Sequence, residues 1–220
     1  MGGVIVVFIC VIGAIIWGLY AGKKRRDAMT LLAEELGLNF RHERNYNLAE
    51  RYRFLDKLRQ GSNRYAYNIM SGQYRDHEIA AFDYHYETYS TDSKGRRQTH
   101  HHHFSFFILT LPKYFEELTI AKEGIFSKIA QAVGYDDIDF ESHEFSRNFV
   151  VRCKDKKFAY DFCNARMIEF LLQHPGINIE LDQNQLAVGY NSTLSVDEIR
   201  PHLDRLIKIR TLMPEYLFAN

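Results

Sequence analysis

Residues 2–22, GGVIVVFICVIGAIIWGLYAG, carry no charged side chain, and the next four residues, Lys23, Lys24, Arg25 and Arg26, are all basic. Twenty-one residues at about 1.5 Å each make a helix of about 31 Å, close to the thickness of a bilayer hydrocarbon core. Trp17 and Tyr20 stand near the end of the run, where aromatic rings favour the headgroup layer. A cleaved signal peptide carries its basic residues before the apolar run, and here they follow it. The pattern predicts a transmembrane anchor over residues 1–22. Lys23, Lys24, Arg25 and Arg26 act as its orientation signal, placing the N-terminus outside and the remainder in the cytoplasm at the inner membrane. The expected partners are then the lipid bilayer and another membrane protein.

The charge is unevenly placed. The chain has 28 basic and 28 acidic residues, and no acid precedes Asp27. Residues 27–220 therefore hold 24 basic and 28 acidic side chains, a net of minus four. Such a balance gives no electrostatic reason to expect nucleic acid. Three cysteines without Cys-x-x-Cys spacing do not form a disulfide framework and suit a reducing compartment, although one Cys153–Cys163 bridge stays open.

Beyond the basic cluster, residues 23–38 form a juxtamembrane segment and a helix, with Gly37 as its C-cap. The periodicity then changes to two. Strands are expected over residues 64–70, 77–88 and 103–111, broken at Ser71-Gly72, joined by a polar loop at 90–98 and stopped by Pro112. They make an antiparallel meander in which Ala81, Asp83, His85 and Glu87 share one face. Helices are expected over 123–133 and within 156–173, a short strand over 149–153, and a hairpin of 177–181 with 185–189. A final helix follows Ser195, where Ser195-x-x-Glu198 matches a capping box. Grouped strands followed by mixed elements read as α+β: a transmembrane helix, then one domain over 39–220 with a β-meander packed by helices.

Residues 145–172, FSRNFVVRCKDKKFAYDFCNARMIEFLL, with GIFSKIAQAVGYDDIDFESHEF before them and IAAFDYHYETY earlier, resemble a group of uncharacterised bacterial membrane-anchored proteins. The resemblance implies the same anchored layout, and it supplies neither an activity nor catalytic residues.

Motifs for phosphate-binding loops, dinucleotide sites, zinc proteases and serine hydrolases are absent from the sequence. The sharpest local feature is the run His100, His101, His102, His103. If the hairpin pairs Tyr86 near His102, then His85, Glu87, His101 and His103 share a face. Imidazoles and a carboxylate at that spacing suit a divalent transition metal. The plainer alternative is a polar strand end beside a solvated loop. Asp83, which interrupts an aromatic strand, is a candidate acid–base group, or a carboxylate that faces water or bonds a neighbouring backbone or arginine. The acidic run Asp136, Asp137, Asp139, Glu141 lacks the spacing of an EF-hand and reads as a solvated loop. The preferred function is a membrane-tethered interaction or sensor module without enzymatic activity. The alternative is a membrane-anchored, metal-dependent enzyme built on the His-rich hairpin.

Overall fold

The structure, a computed structural model, describes residues 2–122 and 137–219, without the side chains of residues 2–16. Its elements in chain order are α1 (Gly2–Leu36), β1 (Asn39–Arg41), α2 (Tyr46–Arg51), β2 (Ser62–Tyr74), β3 (His77–Thr91), β4 (Arg97–Lys122), α3 (His143–Asn148), β5 (Phe149–Cys153), α4 (Lys156–Phe162), α5 (Ala165–Leu172), β6 (Asn178–Gly189) and α6 (Val196–Leu212). A 3₁₀ turn over Glu215–Phe218 follows. The expected helix at 123–133 lies outside the described residues.

All strand pairs are antiparallel, and the sheet runs β1-β2-β3-β4-β5 with β6 also on β4. The long strand β4 organises it. One edge of β4 meets β3 over Arg97–Leu109 and then β5 over Leu118–Lys122, while β6 pairs along the other edge from Phe106 to Ile120. Pairing of β3 with β4 extends past the last β6 pair, and beyond the last β2 pair at Glu87 the two strands run on alone to Thr91 and Arg97, so the tip of the hairpin projects as a two-stranded arm.

Two apolar layers cover the sheet. On one face Ile79, Ala81, Phe107 and Leu109 pack with Met29 and Ala33 of α1 and Leu203 and Leu206 of α6. On the other, Phe82, Tyr84, Phe104 and Phe106 pack with Ala49 of α2 and with Leu55 and Leu58. The alternation along β3 decides which residues face which layer, because successive side chains point to opposite sides.

Several sequence expectations need correction. The transmembrane anchor, and with it the single-pass inner-membrane location, is not supported: among the described residues no helix is long and apolar enough to cross a membrane. Residues 17–36 are the part of α1 whose side chains are described. They carry Lys23, Lys24, Arg25, Arg26, Asp27, Glu34 and Glu35, and they bury Met29 and Ala33 against the sheet. The side chains of residues 2–16, on which most of that expectation rests, lie outside the described residues. Arg25, expected as an orientation signal, is instead committed to the sheet through Asp83.

Ser71-Gly72 does not break β2, which ends instead at a turn in which Arg75 and Asp76 both take positive φ (48° and 65°). Two successive residues in that region give the hairpin turn whose twist matches antiparallel strands. Pro112 does not stop β4. It falls where the β4–β6 register shifts between Thr110 and Phe115, a position that needs no ladder N–H. The expected hairpin at 182–184 is one continuous strand, β6, in which Gln183 takes φ 54° opposite that same irregularity. Gly37 does cap α1: it has φ 69°, and the Leu38 N–H donates to the Ala33 carbonyl at 2.8 Å. At Ser195 the capping box forms. Cys153 and Cys163 are both buried and free, and burial raises both thiols, so neither is a ready nucleophile.

An acid of β6 is buried in the sheet. Glu180 of β6 is 4% exposed, and its two oxygens accept the Lys57 N–H at 3.0 and 3.2 Å. Burial pushes its carboxyl up to about 8, with the Asp56 charge adding to the effect and the Lys57 ammonium opposing it. A carboxyl raised in the folded state supports the fold fully below its unfolded value, near 4.5, and loses that support as pH rises through about 8. Stability should therefore fall between pH 5 and 9. Glu180→Gln keeps an acceptor for the Lys57 N–H and should flatten this dependence, leaving the variant more stable than the parent at pH 9. Urea unfolding at pH 5, 7 and 9 checks this; an unchanged slope in the variant would contradict it.

Candidate metal centre on the β3–β4 arm

The arm brings its imidazoles together by register. Tyr86 pairs with His102, His85 with His103, and Glu87 with His101. The histidine run consequently divides between the two faces. His100 and His102 bond locally to hydroxyls, Nε2 to Ser90 Oγ at 2.7 Å and Nε2 to Thr88 Oγ1 at 2.8 Å, and His102 stacks on Tyr86 with centroids 4.5 Å apart. His101 and His103 lie with His85 and Glu87 on the other face.

Within that set, His85, Glu87 and His101 form the compact group, each offering a ligand atom within 4.8 Å of the others. His85 Nε2 is 3.1 Å from His101 Nδ1, and His101 Nδ1 is 3.5 Å from Glu87 Oε1. Ligand atoms held about 2.0–2.1 Å from one zinc ion in a tetrahedron stand about 3.3 Å apart, so both separations are close to a metal-bound geometry. His85 is buried, Glu87 is half-buried and His101 is exposed, which leaves the group open to solvent on the His101 side.

The first ligand is oriented. His85 Nδ1 lies 3.0 Å from the Asn63 carbonyl. A carbonyl can only accept, so Nδ1 carries a proton, and it is Nε2 that is turned toward His101 as the ligand atom. The ring is stacked on Tyr65 at 4.5 Å. A backbone carbonyl holding the far nitrogen of an imidazole is the usual outer support of a metal ligand. Glu87 is held by two donors, Asn63 Nδ2 to Oε1 at 2.6 Å and Tyr89 Oη to Oε2 at 3.0 Å. The Asn63 bond leads in keeping its carboxyl below the ordinary range, so the group stays ionised and available as a ligand.

His103 belongs to a neighbouring contact. Its Nδ1 is 3.1 Å from Tyr67 Oη, its ring is 4.8 Å from His85, and burial followed by the neighbouring imidazoles lowers its pKa. The structure therefore groups three of the four proposed ligands and turns the fourth to Tyr67.

Asp83 lies two residues before His85 on the same face, and it is not a free acid–base group. It is 1% exposed; its oxygens accept from Arg25 Nε at 3.3 Å, Arg25 Nη2 at 3.0 and 3.2 Å, Asn68 Nδ2 at 2.8 Å and Ser105 Oγ at 2.8 Å. Of the acidic run, Asp137 pairs with Arg152 at 2.8 Å. Asp136 lies outside the described residues.

Sequence reasoning missed Asn63 and Asn68. Both take positive φ (47° and 49°), and both lie in stretches where the β2–β3 register shifts. Asparagine tolerates this conformation better than other side chains, and a bulge re-aims a side chain toward a site. Each bulge delivers one amide, Asn63 to Glu87 and Asn68 to Asp83. An asparagine inside a strand pattern was the available signal, since strands disfavour it.

Gly61 supports the same group from below. It has φ +62°, and a Cβ there would collide with the Glu87 carbonyl and the Tyr86 ring. Gly61→Ala should cost more than about 1 kcal/mol, from the incompatible φ and the backbone clash together. Thermal melting checks this; a neutral substitution would show that the 52–61 segment can withdraw from β3 freely.

No family model matches the chain, and no curated protein matches it. Among solved structures, it is similar to the crystal structure of the mycobacterial trehalose monomycolate transport factor A, TtfA. The TM-score is 0.54 at 14% sequence identity, over 86% of this chain and 90% of that one. At that identity the likeness shows the fold alone, an antiparallel sheet with helices that both chains share.

Proposed function

We propose that this chain is a metal-responsive interaction module whose β3–β4 arm holds a divalent transition-metal ion of the Zn²⁺ or Ni²⁺ type. The observation that carries the reading is the convergence of His85 Nε2, His101 Nδ1 and a Glu87 oxygen, with His85 oriented by the Asn63 carbonyl. Two imidazoles and a carboxylate are a borderline-soft donor set suited to zinc, with a fourth position left for water or a partner's side chain. The ion would tie β3 to β4 at the base of the arm, where β2 still pairs β3 and β6 no longer pairs β4, so metal would stiffen the root of the projecting hairpin. An enzymatic reading gains nothing from Asp83, which Arg25, Asn68 and Ser105 occupy.

The test is calorimetric titration of the full chain with Zn²⁺. One ion per chain is expected, with His101→Ala weakening binding at least tenfold. His101 is exposed, so its removal should leave the fold intact. Affinity should also fall as pH drops below about 6, because protons compete for imidazole nitrogens. Equal affinity in the parent and the His101→Ala variant would sink the proposal.

A further inference from the structure

A second feature lies away from the metal group. Helix α2 is short and covers only part of the sheet face that carries Phe82, Tyr84 and Phe106, leaving a cleft of about 680 Å³ beside it. Its floor includes Ile69, Ala80 and Ile108, one apolar side chain from each of β2, β3 and β4. The volume falls in the range of small-molecule sites.

The charges around the cleft are unevenly satisfied. Arg41 and Arg51 line it, and among the described residues neither has a carboxylate partner. The Arg51 guanidinium lies 5.3 Å from the Tyr52 ring centroid. Tyr52 is 7% exposed and also lines the cleft, yet among the described residues its hydroxyl makes no hydrogen bond. Glu78 is the lining's one acid, so the lining carries a net positive charge.

We infer that this cleft binds a single-chain amphiphile with an anionic head, its apolar body on Ile69, Ala80 and Ile108 and its head on Arg41, Arg51 and the Tyr52 hydroxyl. Guanidinium suits both carboxylate and phosphate oxygens, and the shared requirement is an anion joined to a hydrocarbon chain. An inorganic anion would leave the floor wet, and a neutral amphiphile would leave two guanidinium groups unmatched.

The test is calorimetry of the full chain with octyl phosphate and with octanoate, against inorganic phosphate and the uncharged octyl glucoside. Saturable binding of either anionic amphiphile is expected, and the tighter of the two identifies the head as phosphate or carboxylate. Both controls should bind at least tenfold more weakly. The double variant Arg41→Gln/Arg51→Gln should lose at least tenfold, Ala80→Trp should abolish binding by filling the floor, and Glu78→Gln should bind as tightly as the parent or better. Thermal melting establishes that each variant folds, and the surface arginine pair carries the test if Ala80→Trp does not. Absence of saturable binding overturns the inference, as does equal affinity for either control. Binding undiminished in the cleft variants, as it would be on the exposed Trp17 and Tyr20 of α1, also overturns it.

Discussion

Replacing Arg25 with methionine should lower the unfolding free energy by about 3–5 kcal/mol, the usual cost of leaving one member of a buried ion pair without the other. The size follows from where the charges sit. The Asp83 side chain is 2% exposed and that of Arg25 is 24% exposed, so removal of the guanidinium strands a carboxylate with no route to water. Asn68 and Ser105 would still donate to it at 2.8 Å each, but two neutral donors do not replace a cation. Arg25 also donates through Nη1 to the Leu194 carbonyl at 2.7 Å, and the Leu194 N–H returns to Ser105 Oγ at 3.0 Å. One side chain thus ties α1, β3, β4 and the segment before α6 together. The companion variant makes the argument specific. Arg25→Met combined with Asp83→Asn removes the stranded charge and keeps groups that can bond Asn68 and Ser105. The double variant should be more stable than Arg25→Met alone, a coupling that a double-mutant cycle by urea unfolding would measure. A single variant within about 1 kcal/mol of the parent would mean that α1 can leave the sheet at little cost.

Phe106→Ala should cost a similar amount, about 3–5 kcal/mol, through lost transfer free energy and the cavity left behind. Phe106 is fully buried, with ring centroids 5.8 Å from Phe82 and 6.1 Å from Phe104. Its cross-strand partner on β6 is Gly189, where a Cβ would come within 2.9 Å of the Phe106 ring. The ring therefore lies over the glycine and occupies the space that a side chain would take. Collapse around the cavity is limited because Phe82 and Phe104 are themselves buried between the sheet and the 52–61 segment. Denaturant unfolding would measure the loss; a cost under about 1.5 kcal/mol would show a face that repacks easily.

Much of the sheet was readable from alternation. The period-two pattern of β3 put Phe82 and Tyr84 on one face and Asp83, His85 and Glu87 on the other, as the structure has them, because side chains in a strand alternate without exception of chemistry. The pairing of Tyr86 with His102 was assumed for the hairpin, and the strands meet in that register. Strand ends were misread at Ser71-Gly72, Pro112 and Asp182-Gln183-Asn184, where turn-forming residues lie within long strands and not in turns between short ones, the last two at the shift in the β4–β6 register and the first in a β2–β3 ladder that runs on without one. Local composition is the same in both cases; only the partner strand decides. The apolar N-terminal run suggested a membrane span because charge and length were judged along one segment. That Arg25 belongs to Asp83, 58 residues away, is a long-range pairing that no local pattern contains. The metal group was half legible. Residue types and spacing pointed to His85, Glu87, His101 and His103, whereas the rotation of His103 to Tyr67 and the support from Asn63 depend on bulge geometry.

The central claim, that His85, Glu87 and His101 form one metal site, is tested most directly by X-ray absorption at the zinc edge on the full chain loaded with one equivalent of Zn²⁺ and freed of excess. The geometry predicts that the zinc is retained, with two imidazole nitrogens and a carboxylate oxygen at about 2.0–2.2 Å, and that imidazole scattering drops in His101→Ala. Zinc lost on removal of the excess, or a shell of oxygen atoms without imidazole, would contradict it.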